Sequence, residues 1–165
     1  MDAKITNSNE NKANPVNYST QGFTGDPSSF TDSIAERETI KKHYFYDNGI
    51  LNLFLFQPET KLLENIVAIQ LYKKYGEDLY YYNKNMEVDF CVPKAGLLVQ
   101  VSYRMTENVT RNREISALQK VGKFLNAKRF MIITYDQEET ILSSELDMNI
   151  EVVPVCKFLL EEEMF

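Results

Sequence analysis

The sequence contains few residues of several kinds that mark particular classes of protein. Its 165 residues include no Trp, one His and two Cys. Cys91 and Cys156 are far apart in sequence and each lies in an apolar stretch, so we expect both to be buried, reduced thiols. This excludes a disulfide framework or a zinc knuckle. Cysteine usage of this kind is typical of a cytoplasmic protein, which is the location we predict.

Long hydrophobic runs and glycine-rich loops are missing as well. The most apolar run, Ile50 to Phe56, is far shorter than the roughly 18 residues of a membrane helix, and no apolar signal region follows Met1. We therefore expect no membrane partner. The six glycines are scattered and none belongs to a Gly-Lys-Ser/Thr sequence, so the chain alone should not hydrolyse ATP. The single histidine, His43, gives little support to a catalytic triad, and we expect it to be structural or on the surface.

The composition is that of one globular domain with an acidic balance. The chain has a mass of 19.2 kDa, with 44% hydrophobic and 25% charged residues. Its net charge is -6, so the molecule as a whole repels phosphate unless basic residues gather on one face. Residues 1–33 are rich in Asn, Ser, Thr and Gly, which predicts a flexible polar leader before a single domain at 34–165.

Hydrophobic periodicity within 34–165 predicts alternating helices and strands. We expect a three-strand antiparallel meander between two long helices, and then two further strands. This order implies an α/β fold with a mixed central sheet flanked by helices. The predicted segments are a polar helix at 33–42, a brief strand at 44–46, a turn at 47–49, a short apolar helix at 50–56, a helix from Pro58 to about Gly76, meander strands at 79–82, 87–92 and 97–103, a helix at 110–126, strands at 130–133 and 150–153, and a final helix at 156–163.

Three polar residues lie in apolar surroundings, where burial is costly unless they are paired or bind a cation. They are Glu64 in the first long helix, Asp89 in the second meander strand and Gln100 in the third. Alternation along the third strand points Gln100 and Ser102 to the face opposite Val101. If the meander places Asp89 beside Gln100 and the helix covers them, two carboxylates and an amide oxygen converge, which suits Mg²⁺.

Four blocks of the sequence resemble a domain of unknown function found at the C-terminus of many prokaryotic AAA+ ATPases. That domain is similar to the PD-(D/E)XK nuclease superfamily, so the resemblance implies a restriction-endonuclease-like core. It covers about Lys42 to Leu160, with the glutamate in the helix, the aspartate in a strand and a Gln-x-Ser sequence in the next strand. The blocks are Tyr44 to Ile50, Leu62 to Asn65, Glu87 to Phe90 and Leu98 to Tyr103.

The resemblance implies a degenerate active site. Glu64, Asp89 and Gln100 match metal-ligand positions, whereas Ser102 occupies the position of the lysine that orients or polarises the attacking water. Hydrolysis then requires another cation, for which Lys84 or Arg104 are the candidates. Three hypotheses remain open: a structural cluster without chemistry, in which Asp89 pairs with Lys or Arg; a residual Mg²⁺ site; and an active nuclease.

Charge is unevenly distributed along the chain. The segment from Arg104 to Arg129 contains seven basic residues and only two acidic ones, so the second long helix is predicted to be basic. It is either a nucleic-acid interface or a solvated helix face balanced by acidic residues elsewhere. The candidate nucleic-acid-binding residues are Arg104, Arg111, Arg113, Lys120 and Lys123. An exposed apolar patch around Ile50 to Phe56 would instead favour a protein partner.

These observations predict a non-catalytic accessory domain associated with AAA+ ATPases, which binds nucleic acid or a protein partner. The alternative is an active Mg²⁺-dependent nuclease. The expectation of function rests on the resemblance, because a fold of this class serves many functions.

Overall fold

The computed structural model describes residues 14–19, 22–25, 42–84, 86–143 and 148–160. A single 3₁₀ turn, Gly76–Asp78, separates the first long helix from the meander. The helices are α1 (Asn48–Asn52), α2 (Glu59–Tyr75), α3 (Asn108–Leu125) and α4 (Val155–Leu160). The strands are β1 (Asn14–Ser19), β2 (Gly22–Gly25), β3 (His43–Tyr44), β4 (Tyr80–Asn83), β5 (Glu87–Val92), β6 (Leu97–Val101), β7 (Arg129–Thr134), β8 (Glu139–Ser143) and β9 (Met148–Pro154).

The strands form one mixed sheet in the order β3-β2-β1-β4-β5-β6-β7-β9-β8. Strands β4, β5 and β6 are antiparallel, which confirms the predicted meander. Strand β7 runs parallel to β6 on one side and to β9 on the other, and β8 closes this edge antiparallel to β9. The protein therefore has the predicted α/β fold, a mixed sheet flanked by helices.

Strand β7 is covered on both faces, as its continuous apolar run predicts. Met131 and Ile133 pack in the cluster that α2 and α4 complete on one face, whereas Phe130 and Ile132 pack with α3 on the other. The approach of α3 is close at Gly122, where a Cβ atom would lie 2.8 Å from Cζ of Phe130. The absence of a side chain at Gly122 therefore allows α3 to pack this closely against the sheet.

Both long helices end where the sequence indicates. Helix α2 follows Pro58 and stops at Gly76, which adopts a φ of 54° that side chains other than glycine rarely tolerate. Helix α3 stops at Asn126 in the left-handed conformation, and the N–H of Asn126 donates to the carbonyl of Gly122. Local sequence thus sets the lengths of the two helices that border the candidate site.

Several segments differ from their predictions. Strand β8 was not predicted, because its residue types do not alternate with its exposure: Leu142 is exposed whereas Ser143 is buried. Strands β1 and β2 lie within the segment predicted to be a flexible leader, and they pair with each other and with β4 and β3. Of the predicted helix at 33–42, residues 33–41 lie outside the described residues and Lys42 is not helical. Residues 161–163 of the predicted final helix also lie outside them.

The segment after β3 differs most from its prediction. The predicted turn at 47–49 instead begins α1, because the Asp47 carboxylate accepts hydrogen bonds from the N–H groups of Gly49 and Ile50 at 2.6 and 3.1 Å. Residues 50–52 of the predicted helix at 50–56 are helical, but α1 ends at Asn52, and the prediction that the apolar run packs against the core is wrong. Leu53, Phe54 and Phe56 are 80%, 75% and 94% exposed.

The two cysteines are both free, but only Cys91 is buried. The prediction that Cys156 is buried is wrong, because α4 buries Phe158 and a residue two positions earlier lies on nearly the opposite side of a helix. His43 is exposed, in agreement with the expectation that it is structural or on the surface.

Candidate functional site

A cleft of about 440 Å³ lies between α2, α3 and the strands β5 and β6. All three residues that the sequence singled out, Glu64, Asp89 and Gln100, line it. The charged residues of its wall are Lys61, Glu64, Glu87, Asp89, Arg113 and Glu114. The fold therefore brings the predicted cluster together, within a wall that carries both signs of charge.

Glu64 is buried on α2, and both of its carboxylate oxygens accept hydrogen bonds. Its Oε1 accepts from the Lys42 ammonium at 3.1 Å and from the Tyr44 hydroxyl at 2.9 Å. Its Oε2 accepts from Lys61 at 2.9 Å. Burial by itself would raise the pKa of Glu64, but the charges of Lys42 and Lys61 outweigh it and lower the pKa below its ordinary value. Glu64 is therefore a charged, fully paired carboxylate.

Asp89, on β5, is held equally firmly. Its Oδ1 accepts from Lys42 at 2.9 Å and its Oδ2 accepts from the main-chain N–H of Val101 at 2.9 Å. Burial raises the pKa of Asp89 to about 6, although the neighbouring charge of Lys42 acts in the opposite direction. Desolvation thus dominates at Asp89, whereas the nearby positive charges dominate at Glu64.

Lys42 connects the acidic residues. Its ammonium lies 2.7 to 3.1 Å from carboxylate oxygens of Glu64, Glu87 and Asp89, and its side chain is only 15% exposed. Burial alone would lower the pKa of Lys42, but the charges of Asp89 and Glu64 outweigh it and raise the pKa above its ordinary value. The ammonium of a lysine therefore lies between the two carboxylates predicted as ligands, where a bridging cation would lie.

The amide of Gln100 is held by hydrogen bonds to β5 and α3. Its Oε1 accepts from the main-chain N–H of Asp89 at 3.1 Å, and its Nε2 donates to Oε2 of Glu114 at 2.6 Å. Glu114 is buried on α3, and its other oxygen accepts from the guanidinium of Arg113. Because the carboxylate of Glu114 attracts the NH₂ group, it fixes the orientation of the amide.

Ser102, at the position of the missing lysine, is buried and takes part in local hydrogen bonds. Its hydroxyl donates to the carbonyl of Arg104 at 3.2 Å, and its N–H donates to the carbonyl of Ile133 at 2.9 Å. The cation that contacts both Glu64 and Asp89 is Lys42, in place of the Lys84 or Arg104 suggested by the sequence. Arg104 lies instead 5.8 Å from the ring centre of Tyr103.

The donor set in this arrangement does not fit a Mg²⁺ ion. Both oxygens of Glu64 and both oxygens of Asp89 already accept hydrogen bonds, and the oxygen of Gln100 is taken by a main-chain N–H. Within the described ranges no three His, Cys, Asp or Glu side chains are grouped so that they could hold a metal ion. An ion could enter only after the ammonium of Lys42 had moved.

The basic helix is partly neutralised. The two terminal guanidinium nitrogens of Arg111 pair with the two carboxylate oxygens of Glu139, and Arg113 pairs with Glu114. Lys120 and Lys123 are exposed on α3, and Arg104 is exposed before it. Two of the five candidate phosphate contacts are thus already paired with carboxylates.

The sequence analysis missed four charged residues of the site, and Lys42 and Glu114 are the two most buried of them. Glu114 had a usable signal, because it lies four residues before Leu118 and seven before Val121, and therefore on the buried face of α3. Lys42 had none, since it is 22 residues from Glu64 and 47 from Asp89. Only the folded chain brings it to the carboxylates.

Comparison with known proteins adds no assignment. No protein-family model, curated protein or solved structure matches this chain. Among the helices of the described residues, none has the length and apolar character needed to cross a membrane. The basis for a functional proposal is therefore the geometry of the site itself.

Proposed function

We propose that this chain is a non-catalytic accessory domain of the PD-(D/E)XK nuclease-like class, associated with AAA+ ATPases, and that it binds a protein partner. The observation that carries the proposal is the position of the Lys42 ammonium, which lies 3.1 Å from Glu64 and 2.9 Å from Asp89. The ammonium of Lys42 thus takes the place that a catalytic metal ion would occupy between these two carboxylates.

Metal-dependent phosphodiester hydrolysis needs an ion that binds the phosphate and lowers the pKa of the attacking water. Here the oxygens that would hold such an ion already accept hydrogen bonds from the chain, and Ser102 supplies no charge at the lysine position. Both parts of the hydrolytic machinery are therefore replaced by internal contacts.

A protein partner is favoured over nucleic acid by the distribution of charge and apolar surface. Arg111 and Arg113 are paired with carboxylates, and the chain as a whole carries a net charge of -6. The region of α1 and the turn after it, by contrast, exposes Leu53 and Phe54. Exposed apolar side chains that cluster in one short segment are typical of protein interaction sites.

The test of the proposal is a nuclease assay with an internal control. Wild type and Glu64→Gln are incubated with single- and double-stranded DNA and with RNA, in the presence of Mg²⁺ or Mn²⁺. We expect no cleavage that depends on Glu64. In parallel, backbone amide spectra during a Mg²⁺ titration should show no saturable shifts at Glu64, Asp89 and Gln100.

An active Mg²⁺-dependent nuclease is the second candidate, and one observation favours it. The three residues at the expected metal-ligand positions, Glu64, Asp89 and Gln100, line a single cleft. Cleavage by wild type that disappears in Glu64→Gln would establish this second function and overturn the first.

A further inference from the structure

We infer that Lys42 is the resident cation of the acidic cluster, and that through it the cluster serves as a joint that fastens strand β3 to the core. The inference rests on the proposed non-catalytic function and assigns a structural use to the same residues. It is carried by the contacts of Lys42, of Tyr44 and of the residues around them.

The ammonium of Lys42 has as many N–H donors as there are carboxylates around it, and its charge is opposite to theirs. A lysine side chain donates three hydrogen bonds, and three carboxylates lie within contact distance of Lys42. Glu64 belongs to α2, whereas Glu87 and Asp89 belong to β5, so the contact joins a helix to the sheet. Carboxylates buried side by side are costly without such a partner.

The contacts next to Lys42 point to the same use. The hydroxyl of Tyr44 donates to Glu64 at 2.9 Å. The main chain of Phe45 exchanges two hydrogen bonds with the side chain of Asn65, at 2.7 and 2.8 Å. Two adjacent residues of α2 therefore hold the segment 42–45 by its side chains and by its main chain.

Strand β3 depends on this joint because it is short. It has two residues, and its main-chain partner in the sheet is β2. Strand β2 is connected to the meander through β1 alone, at the edge of the sheet. The side-chain contacts from Lys42 and Tyr44 to α2 and β5 provide a second, direct connection to the core.

The inference is tested by comparing Lys42→Met with Lys61→Met. Both lysines contact Glu64, but the side chain of Lys61 is 63% exposed. Loss of a buried charge partner should lower the Tm of Lys42→Met by on the order of 10 °C. Amide hydrogen exchange in the segment 43–46 should rise at least several-fold in this variant. Lys61→Met should leave both quantities close to those of wild type.

A second substitution separates charge from packing. If Lys42 acts as a cation, removal of a facing negative charge should restore stability, so Lys42→Met with Asp89→Asn should melt higher than Lys42→Met alone. The amide introduced at position 89 could still accept the hydrogen bond from the N–H of Val101. A double variant that melts lower than the single one would overturn the inference.

One measurement remains decisive if Lys42→Met does not fold. Glu64→Gln removes the charge that holds both Lys42 and Tyr44, and should accelerate amide exchange in the segment 43–46. Exchange equal to that of wild type would refute the joint. Cleavage of nucleic acid that depends on Glu64 would refute the proposed function instead, so the two failures are distinguishable.

Discussion

Gln100→Glu would place a second carboxylate beside the buried Glu114, and we predict that it destabilises the protein. In the wild type, Nε2 of Gln100 donates to Glu114 at 2.6 Å, and both side chains are buried. Glutamate at this position would replace a donor with a second carboxylate. Two unit charges about 4 Å apart repel by about 4 kcal/mol at an effective dielectric constant of 20.

The predicted loss depends on pH. The folded variant avoids the repulsion by keeping one proton on the pair of carboxyls, whereas an unfolded chain releases its carboxyl protons near pH 4.3. Above that pH the folded state therefore binds more protons than the unfolded state, so its stability falls as the pH rises. Most of the loss should be present at pH 7.5 and largely recovered at pH 5.

Urea denaturation at these two pH values measures the effect. The matched control is the exchange of the two groups, Gln100→Glu with Glu114→Gln, which again pairs one amide with one carboxylate. We expect the exchanged variant to recover most of the lost stability at pH 7.5. The reasoning would be refuted by a Gln100→Glu variant as stable as wild type at both pH values, or by an exchanged variant no better than the single one.

Three further outcomes follow from the structure. Gly122→Ala should lower the free energy of unfolding by about 1–3 kcal/mol, measured by urea denaturation, because its Cβ would overlap the ring of Phe130. In the native protein a thiol reagent should label the exposed Cys156 quickly and Cys91 only after unfolding, since burial also raises the pKa of the Cys91 thiol. Burial raises the pKa of Asp89 to about 6, so its protonated form favours the folded state and its contribution to stability is lost as the pH rises from about 4 to 6. The stability of wild type relative to Asp89→Asn should therefore fall over this interval, and a constant difference would contradict the assignment.

The sequence predicts the centre of the fold well, because periodicity there reflects burial directly. Helix α2, the meander and β7 all follow from apolar spacing, and punctuation by Pro58 and Gly76 fixes the ends of α2. The edges are predicted less well. Strand β8 is recognisable only from its pairing with β9, which the local sequence does not encode.

The sequence predicts where the site lies, but it does not predict which hydrogen bonds and ion pairs its residues form. Glu64, Asp89 and Gln100 stand out because they are polar residues in apolar surroundings, and they do line one cleft. Their partners depend on long-range packing. Lys42 reaches Glu64 and Asp89 from a polar segment with no distinguishing pattern, so this cation of the site could not be identified before the fold was known.

The charge balance around the cleft connects these observations. Four carboxylates take part, on Glu64, Glu87, Asp89 and Glu114, and three cations pair with them, namely Lys42, Lys61 and Arg113. The cluster therefore carries a net charge of only -1, whereas the same carboxylates without Lys42 would carry -2 and balance a divalent ion. A Mg²⁺ ion added to the intact cluster would leave an excess of positive charge in a buried site, which is unfavourable. Since Lys42 is the least exposed of the three cations, it is the residue whose removal should change the electrostatics of the cleft most.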